Sequence, residues 1–522
     1  MNSKKLPLFP SPFLLVLISV FLAAAFLQFF RLGERSLWDD EARIMTKLAF
    51  NLKWLLVYQK NIVFNVILTW WSYYGKSEFW LRIPSAFFAF SSLIALYALG
   101  KKLFSKETAL LAVGLLAISP FFLLETRQVR MYSLTLFFSL ASILFLMEYL
   151  ETGRRGKLLS HIGVSFLALL THYLYFTMLL LQVLWVLSFR QKKPALVKRY
   201  FLGWLMLAPC ALPAVPELFK RLGYAQWLYL HPATPETLAF PMGSLGKIAF
   251  VYYLFTAGPA LYPWNYVWSV AGCLLPAVLL LRALAKPWPR PLVFTWLGFI
   301  LPIFLSSSLR NAQPRYAFAS LPFYALLLAI GLLRLRPRLR IFCLSGLILL
   351  NGYGLLNYFT GRQYLLMAYL EPYREIVQSV QKQLTPKDYF LYSQANDPFF
   401  YYFRVRSGET NRGRLLHWVD EMGNLRLKKW TEIERGMPPG TKRLWYVESP
   451  PGQYIEETPI LDAERIYREN VAMRSWLDDH RVRLGRWVYL KDPEIRNKKK
   501  FFKKFYLEER IVVSLYELTP SR

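Results

Sequence analysis

The chain has 522 residues, of which 55% are hydrophobic and 17% aromatic, and its mean hydropathy is +0.26. That is too apolar for an ordinary soluble protein of this size, so the composition requires a chain that crosses a membrane several times. The formal net charge of +31 would suggest nucleic acid in a soluble protein, but the basic residues stand in short clusters between apolar runs, as topology signals do, and no nucleic-acid partner is expected.

Lys4 and Lys5 precede an apolar run from Phe13 to Phe30 with no small-residue cleavage site, which reads as a retained first span rather than a signal peptide. A transmembrane helix needs about 20 mostly apolar residues. Runs that meet this description fall near 11–30, 82–100, 107–124, 131–150, 158–173, 174–189, 200–216, 262–281, 291–308, 316–333 and 341–359, giving about eleven spans in a polytopic α-helical domain over 1–360. With a cytoplasmic N-terminus, the inward connections carry Lys101, Lys102 and Lys106, then Arg154, Arg155 and Lys157, then 190–199, 282–290 and 334–340, all basic, as the positive-inside rule asks. Cys210, Cys273 and Cys343 lie in or beside apolar stretches without CxxC spacing and read as packing residues.

The same alternation puts 31–81, 125–130, 217–261, 309–315 and everything after 360 on the periplasmic or extracellular side of a cytoplasmic (inner) membrane. Glu41 to Gln59 carries apolar residues at helical spacing, as a helix lying on the membrane surface would, and 61–74 reads as re-entrant or interfacial. Beyond 360 the composition changes to that of a soluble α/β domain, 361–522. It should hold an amphipathic helix at 371–384 and strands at 389–393, 444–447 and 511–516, with Pro386, Pro450 and Pro451 at turns. The basic run Lys498-Lys499-Lys500 with Lys503-Lys504 reads as a solvated face or a contact for anionic membrane lipids.

Three constellations could carry chemistry, and all fall on the outer side. Asp39-Asp40-Glu41 in the first external loop offers a carboxylate to take a proton from an acceptor hydroxyl or amine, and a neighbour to orient the acceptor or, as Asp40 and Glu41, to hold a divalent cation such as Mg or Mn. Arg43, two residues on, is a partner for that charge. Arg127-Gln128-Val129-Arg130-Met131-Tyr132 sets two guanidinium groups beside a phenol, suited to phosphate or to anchoring at the headgroup level. Arg310 to Tyr316, with Arg315 and Tyr316 at its end, puts positive charge where topology disfavours it, which an anionic lipid phosphate would explain. His172 closes the fifth span at the same face and reads as a hydrogen-bonded structural residue or a member of this site. No HExxH, GxSxG or Walker-type motif is present.

An outer acid cluster with Arg and Tyr groups suits transfer from a lipid-linked phosphosugar. A transporter or flippase of lipid-linked precursors would place its polar groups near span midpoints instead, and a non-catalytic assembly subunit would work through the external domain.

The motifs and their order resemble the GT-C superfamily of integral-membrane glycosyltransferases, in particular the family 39 group of protein O-mannosyltransferases and lipid A aminoarabinose transferases. Asp40-Glu41 is similar to the Asp-Glu pair of that family's first external loop, and Ser77-Glu78-Phe79-Trp80-Leu81-Arg82-Ile83-Pro84-Ser85 resembles its entry into the second span. Arg130-Met131-Tyr132-Ser133-Leu134, Thr171-His172-Tyr173, Pro314-Arg315-Tyr316 and Pro372-Tyr373-Arg374-Glu375 fall where family members carry similar segments. The resemblance implies a polyprenyl-phosphate sugar donor, a protein, lipid A-like or glycan acceptor, and an inverting single displacement. It makes Asp40 the general base, with Glu41 and Asp39 supporting it, and Arg130, Tyr132, Arg315, Tyr316 and Arg82 contacts of the donor phosphate, with Arg127, His172 and Arg43 as further candidates. The chain departs from the family at Arg127-Gln128-Val129-Arg130, where relatives often read Gln-Glu-Ala-Arg, leaving Glu125 as the nearest carboxylate. It departs again at Gln59-Lys60-Asn61, where a His-Pro pair is expected.

Overall fold

The computed structural model describes residues 11–50, 61–211, 244–285, 287–307, 314–365, 367–385, 388–392, 397–406, 415–417, 440–448, 472–491 and 509–518. By its contacts the chain forms two compact units. One comprises Met1–Leu32, Tyr58–Lys220 and Ser244–Leu365, and the other Gly33–Val57, Arg221–Gly243 and Leu366–Arg522. Gly33–Val57, which carries the acid cluster, therefore belongs with the C-terminal region.

The first unit is helical: α1 (Pro12–Phe29), α3 (Ile62–Ser72), α4 (Glu78–Leu103), α5 (Lys106–Ala117), α6 (Pro120–Thr126), α7 (Tyr132–Thr152), α8 (Arg155–Thr171), α9 (Phe176–Leu187), α10 (Pro194–Ala211), α11 (Ser244–Ala257), α12 (Tyr266–Ala283), α13 (Arg290–Ser307), α14 (Leu321–Leu333) and α15 (Pro337–Thr360). The second unit opens with α2 (Asp39–Phe50). Each apolar run foreseen in the sequence overlaps one of these helices, except 107–124, which overlaps two, α5 and α6. Among the described residues six helices are long and apolar enough to cross a membrane, or seven if α5 and α6, bent by 69° across Ile118 and Ser119, count as one broken span. The chain is a multi-pass membrane protein. The helix α11 lies within the stretch 217–261 read as an outer connection; residues 212–243 of that stretch, 51–60 and the basic run at 498–504 lie outside the described residues.

Local chemistry sets the helix ends. Ser11, Ser77, Ser105 and Ser119 each accept a hydrogen bond from the backbone N–H three residues on, with Pro12 and Pro120 at first-turn positions that need no N–H donor. At the other ends Gly153 (φ 67°) closes α7 and Gly361 (φ 71°) closes α15 in the left-handed conformation that glycine adopts without steric cost. The distribution of polarity is inverted relative to a soluble protein. Leu15, Leu22 and Phe26 of α1 stand exposed, while Gln28, Ser139, Ser142, His161, Ser165 and Gln182 are buried among helices. The α3–α4 hairpin is joined by two stacked indoles, Trp71 and Trp80, 4.5 Å apart and 7° from parallel. Trp71 Nε1 donates to the Trp80 carbonyl (2.8 Å) and Trp80 Nε1 to the Trp71 carbonyl (3.0 Å).

In the second unit, α16 (Tyr373–Gln383) precedes β1 (Asp388–Tyr392), β2 (Leu415–His417), β3 (Arg443–Glu448), β4 (Val482–Lys491) and β5 (Glu509–Glu517). They form one sheet of order β2-β1-β3-β5-β4, parallel from β2 to β3 and antiparallel from β3 to β4. Period-two alternation divides the core between the sheet faces. Tyr389, Leu391, Leu444, Tyr446 and Tyr516 pack together with Leu477 on one face, while on the other Phe390 meets Phe403 at 4.6 Å and Trp445 stacks on Trp487 at 5.6 Å. Asp388, buried where β1 begins, accepts from Arg443 Nε (2.8 Å) and Nη2 (2.7 Å) and from Trp445 Nε1 (2.8 Å). Burial pushes its carboxyl up, but the hydrogen bonds from Arg443, Thr385 and Trp445 outweigh that and hold it below the usual carboxylate range.

Candidate active site

The first unit gathers four of the residues singled out in the sequence around one cavity. Tyr132 starts α7, His172 ends α8, and Arg315 and Tyr316 lie in the 3₁₀ segment Pro314–Ser320 that leads into α14. With Thr135, Leu136, Leu174, Tyr175, Phe318 and Ala319 they line a space of about 330 Å³ that includes open solvent. Polar groups thus converge on an apolar wall.

Each polar group is held in place. The Tyr132 ring packs 5.6 Å from His172 and 6.4 Å from Phe318, and its hydroxyl is buried with no hydrogen-bond partner among the described residues. Arg130 Cζ stands 5.6 Å from the Tyr132 ring centre, a cation–π distance, and its carbonyl accepts from Ser85 Oγ at 3.2 Å. Arg315 is only 8% exposed, so its guanidinium stands in a poorly hydrated place where an anion would bind strongly. His172 Nδ1 accepts the Leu174 N–H (3.3 Å), which puts the ring proton of the neutral imidazole on Nε2 and makes that nitrogen a donor. Thr135, Tyr175 and Phe318 lack any motif and read in the sequence only as parts of spans.

Arg82 and Arg127 are not among the residues that line this cavity. Arg82 Nη1 donates to the Leu32 carbonyl at 3.1 Å, and Arg127 Nη2 donates to the Phe30 carbonyl while its Cζ lies 5.5 Å from the Tyr358 ring and 5.1 Å from that of Phe359. Both arginines fasten the end of α1. Gln128 Nε2 donates to the Leu124 carbonyl (2.9 Å), and Glu125 is buried within α6.

The acid cluster sits in the second unit as the first turn of α2, where a helix N-terminus favours negative charge. Glu41, fully buried, accepts the Trp38 N–H through Oε2 at 3.2 Å, the reach-back half of a capping box. Arg43 Nη2 lies 2.6 Å from Asp39 Oδ2 and Nη1 3.9 Å from Asp40 Oδ1. The turn before it is tied down by Leu37 N–H to Tyr402 Oη (2.7 Å), Ser36 Oγ to Glu375 Oε2 (2.9 Å) and a Trp38–Tyr369 ring contact at 4.6 Å. Asp40 is thus the acid with the weaker pairing to Arg43. Among the described residues no three His, Cys, Asp or Glu side chains are grouped to hold a metal ion.

Residues 60–218 match the family described as dolichyl-phosphate-mannose-protein mannosyltransferase. Across 97% of this chain and 98% of the other, the fold superposes with a TM-score of 0.54 on the crystal structure of ArnT from Cupriavidus metallidurans bound to undecaprenyl phosphate, at 14% identity. The chain has the GT-C fold. The apo state of the same ArnT matches this chain equally, with a TM-score of 0.54, 14% identity and coverage of 96% and 97%. No curated protein matches the sequence. The matched segment contains Tyr132 and His172, whereas Arg315 and the acid cluster lie outside it.

Proposed function

We propose that this protein is an inverting glycosyltransferase that moves a sugar from a polyprenyl-phosphate donor to a protein, lipid or glycan acceptor at the outer face of a cytoplasmic membrane. The observation that carries this reading is the cavity of the first unit, where Arg315, Tyr316, Tyr132 and His172 face an apolar lining. A phosphate on an isoprenoid tail needs that pairing, because its head asks for cations and donors while its tail asks for apolar surface. The undecaprenyl phosphate held by the superposable ArnT supports the same donor class.

In this proposal Asp40 takes the proton of the acceptor hydroxyl or amine as that group attacks the anomeric carbon. The sugar–oxygen bond to phosphate breaks, and the polyprenyl phosphate leaves with its negative charge met by Arg315, Arg130 and the Tyr132 hydroxyl. Asp39 and Arg43 keep the Asp40 carboxylate in place, and no step is routed through a cation. The assignment of Asp40 rests on the resemblance of Asp40-Glu41 to the family's acid pair.

The test is transfer of label from radioactive polyprenyl-phosphate sugars to total membrane acceptors, comparing purified wild type with Asp40→Asn in the same lipid. Transfer by wild type that is lost in the variant supports the proposal. Absence of transfer with every donor would turn the reading to a flippase or an assembly subunit, and equal transfer by both proteins would remove Asp40 from the mechanism.

A further inference from the structure

A second polar cluster lies deep among α7–α10. Tyr175 Oη stands 2.8 Å from both Ser142 Oγ and Ser165 Oγ, and Gln182 Nε2 donates to Ser142 Oγ (2.9 Å) and to Tyr175 Oη (3.1 Å). These groups satisfy one another, and Tyr175 carries the network to the wall of the cavity.

The cluster continues to His161 of α8, whose Nδ1 is 3.0 Å from the Ser142 carbonyl oxygen. A carbonyl only accepts, so Nδ1 carries the proton, and Nε2 of the neutral ring is an acceptor lone pair. The ring lies 5.6 Å from Tyr200 in a stacked arrangement (29°) and meets Trp204 edge-on at 6.1 Å (79°), both on α10. His161 and Tyr200 are completely buried. His161 Nε2, Tyr200 Oη and Trp204 Nε1 have no hydrogen bond of good geometry among the described residues, Tyr200 Oη and Trp204 Nε1 standing close enough only for a weak bond to each other.

These three atoms form a chemically complementary set: an obligate acceptor on His161, an obligate donor on Trp204 and a hydroxyl on Tyr200 that does either. Buried polar atoms in native proteins are almost always satisfied, so three orphans on adjoining rings call for a guest. The guest must donate to one nitrogen and accept from another. Carboxylate and ammonium each lack one of those abilities, whereas a hydroxyl has both.

We propose that His161, Tyr200 and Trp204 form an internal site for one small hydroxyl group, supplied by water or by a lipid headgroup, that joins α8 to α10. The guest donates to His161 Nε2 and accepts from Trp204 Nε1–H, with Tyr200 Oη completing its shell. This inference is independent of the transfer reaction.

The test uses the full chain labelled with ¹⁵N-histidine in lipid nanodiscs and examined by solid-state NMR. Of the five histidines in the chain, His161 is assigned as the resonance lost in His161→Gln. The expected result in phosphatidylcholine, which has no free hydroxyl, is an unprotonated Nε2 signal displaced toward the hydrogen-bonded position, with magnetisation transfer from water protons. The same displacement only in phosphatidylglycerol, whose headgroup carries hydroxyls, would assign the guest to lipid. Tyr200→Phe with Trp204→Phe should weaken the transfer while the Nδ1–H signal stays. A dry imine nitrogen in both lipids, an Nε2 that carries the proton, or a transfer unmoved by the double variant would each overturn the proposal.

Discussion

The two units differ in the partners their arginines find, although arginines of both donate to backbone carbonyls. In the helical unit Arg334 donates to the carbonyls of Ala283 (2.9 Å) and Ala285 (2.6 Å), Arg340 Nη2 to that of Leu333 (2.9 Å), and Arg82 and Arg127 to those near the end of α1. In the sheet-containing unit Arg443 pairs with Asp388, Arg474 with Glu448 and Arg483 with Asp478. Where acids are scarce, the carbonyls left over at helix ends become the counter-charge. Where acids are plentiful, side chains pair. Arg315 is buried beside Tyr316 on a cavity wall, and Arg130 stands over the Tyr132 ring that lines the same cavity.

The contrast can be broken or sharpened by substitution. The largest effect is expected from Asp40→Asn, which should lower the transfer rate by about 10²–10⁴-fold, the usual contribution of a general base, with donor affinity unchanged in equilibrium binding. Loss of donor binding instead would make Asp40 a binding residue.

Asp388→Asn should destabilise the sheet-containing unit by about 3 kcal/mol at neutral pH, because it strands the Arg443 guanidinium. The Asp388 carboxyl is held lower in the folded chain than in the unfolded one. Its stabilisation is therefore fully present above the unfolded value of about 4 and is lost as pH falls through the folded one. Denaturation midpoints of wild type and variant should accordingly converge below about pH 4.

Arg315→Ala should weaken polyprenyl-phosphate binding by about 1.5–3 kcal/mol, the range for a hydrogen bond to a charged group, and Arg315→Lys should restore part of it as a point charge without the planar fork. Arg82→Ala, by contrast, should lower thermal stability more than donor affinity, since its guanidinium holds the Leu32 carbonyl. Equal losses of donor affinity at both positions would erase the distinction. The smallest effect, about 1 kcal/mol of stability, is expected for Gly153→Ala, measured by thermal unfolding, because its φ of 67° is costly for any residue with a Cβ.

Much of the helical unit was legible because long apolar runs have few alternatives, and the serine caps and terminal glycines follow local rules. The short apolar helix α11 escaped because Gly246 and Lys247 break its pattern and it is shorter than a full span. Strand β4 escaped because Arg483, Gly485 and Arg486 blur the alternation and Val482 and Leu484 remain exposed. The cavity was legible as three separate motifs rich in Arg, Tyr and His, but Tyr175 and Phe318 carry no local signal. That α2 groups with the C-terminal region rests on contacts such as Leu37 to Tyr402, 365 positions apart, and no pattern within a short window encodes such a pairing.

The paired indoles of Trp71 and Trp80 act as a spacer as well as a bond. Each ring lies flat on the other at 4.5 Å, so the opening of the α3–α4 hairpin is gauged by the thickness of two aromatic rings. A Cβ on Gly75 would stand 2.8 Å from the Trp80 ring, which leaves the turn no room to readjust. A narrower side chain at either tryptophan would therefore change the angle of the bracket as well as its strength, and every segment that leans on α3 or α4 would inherit the new angle.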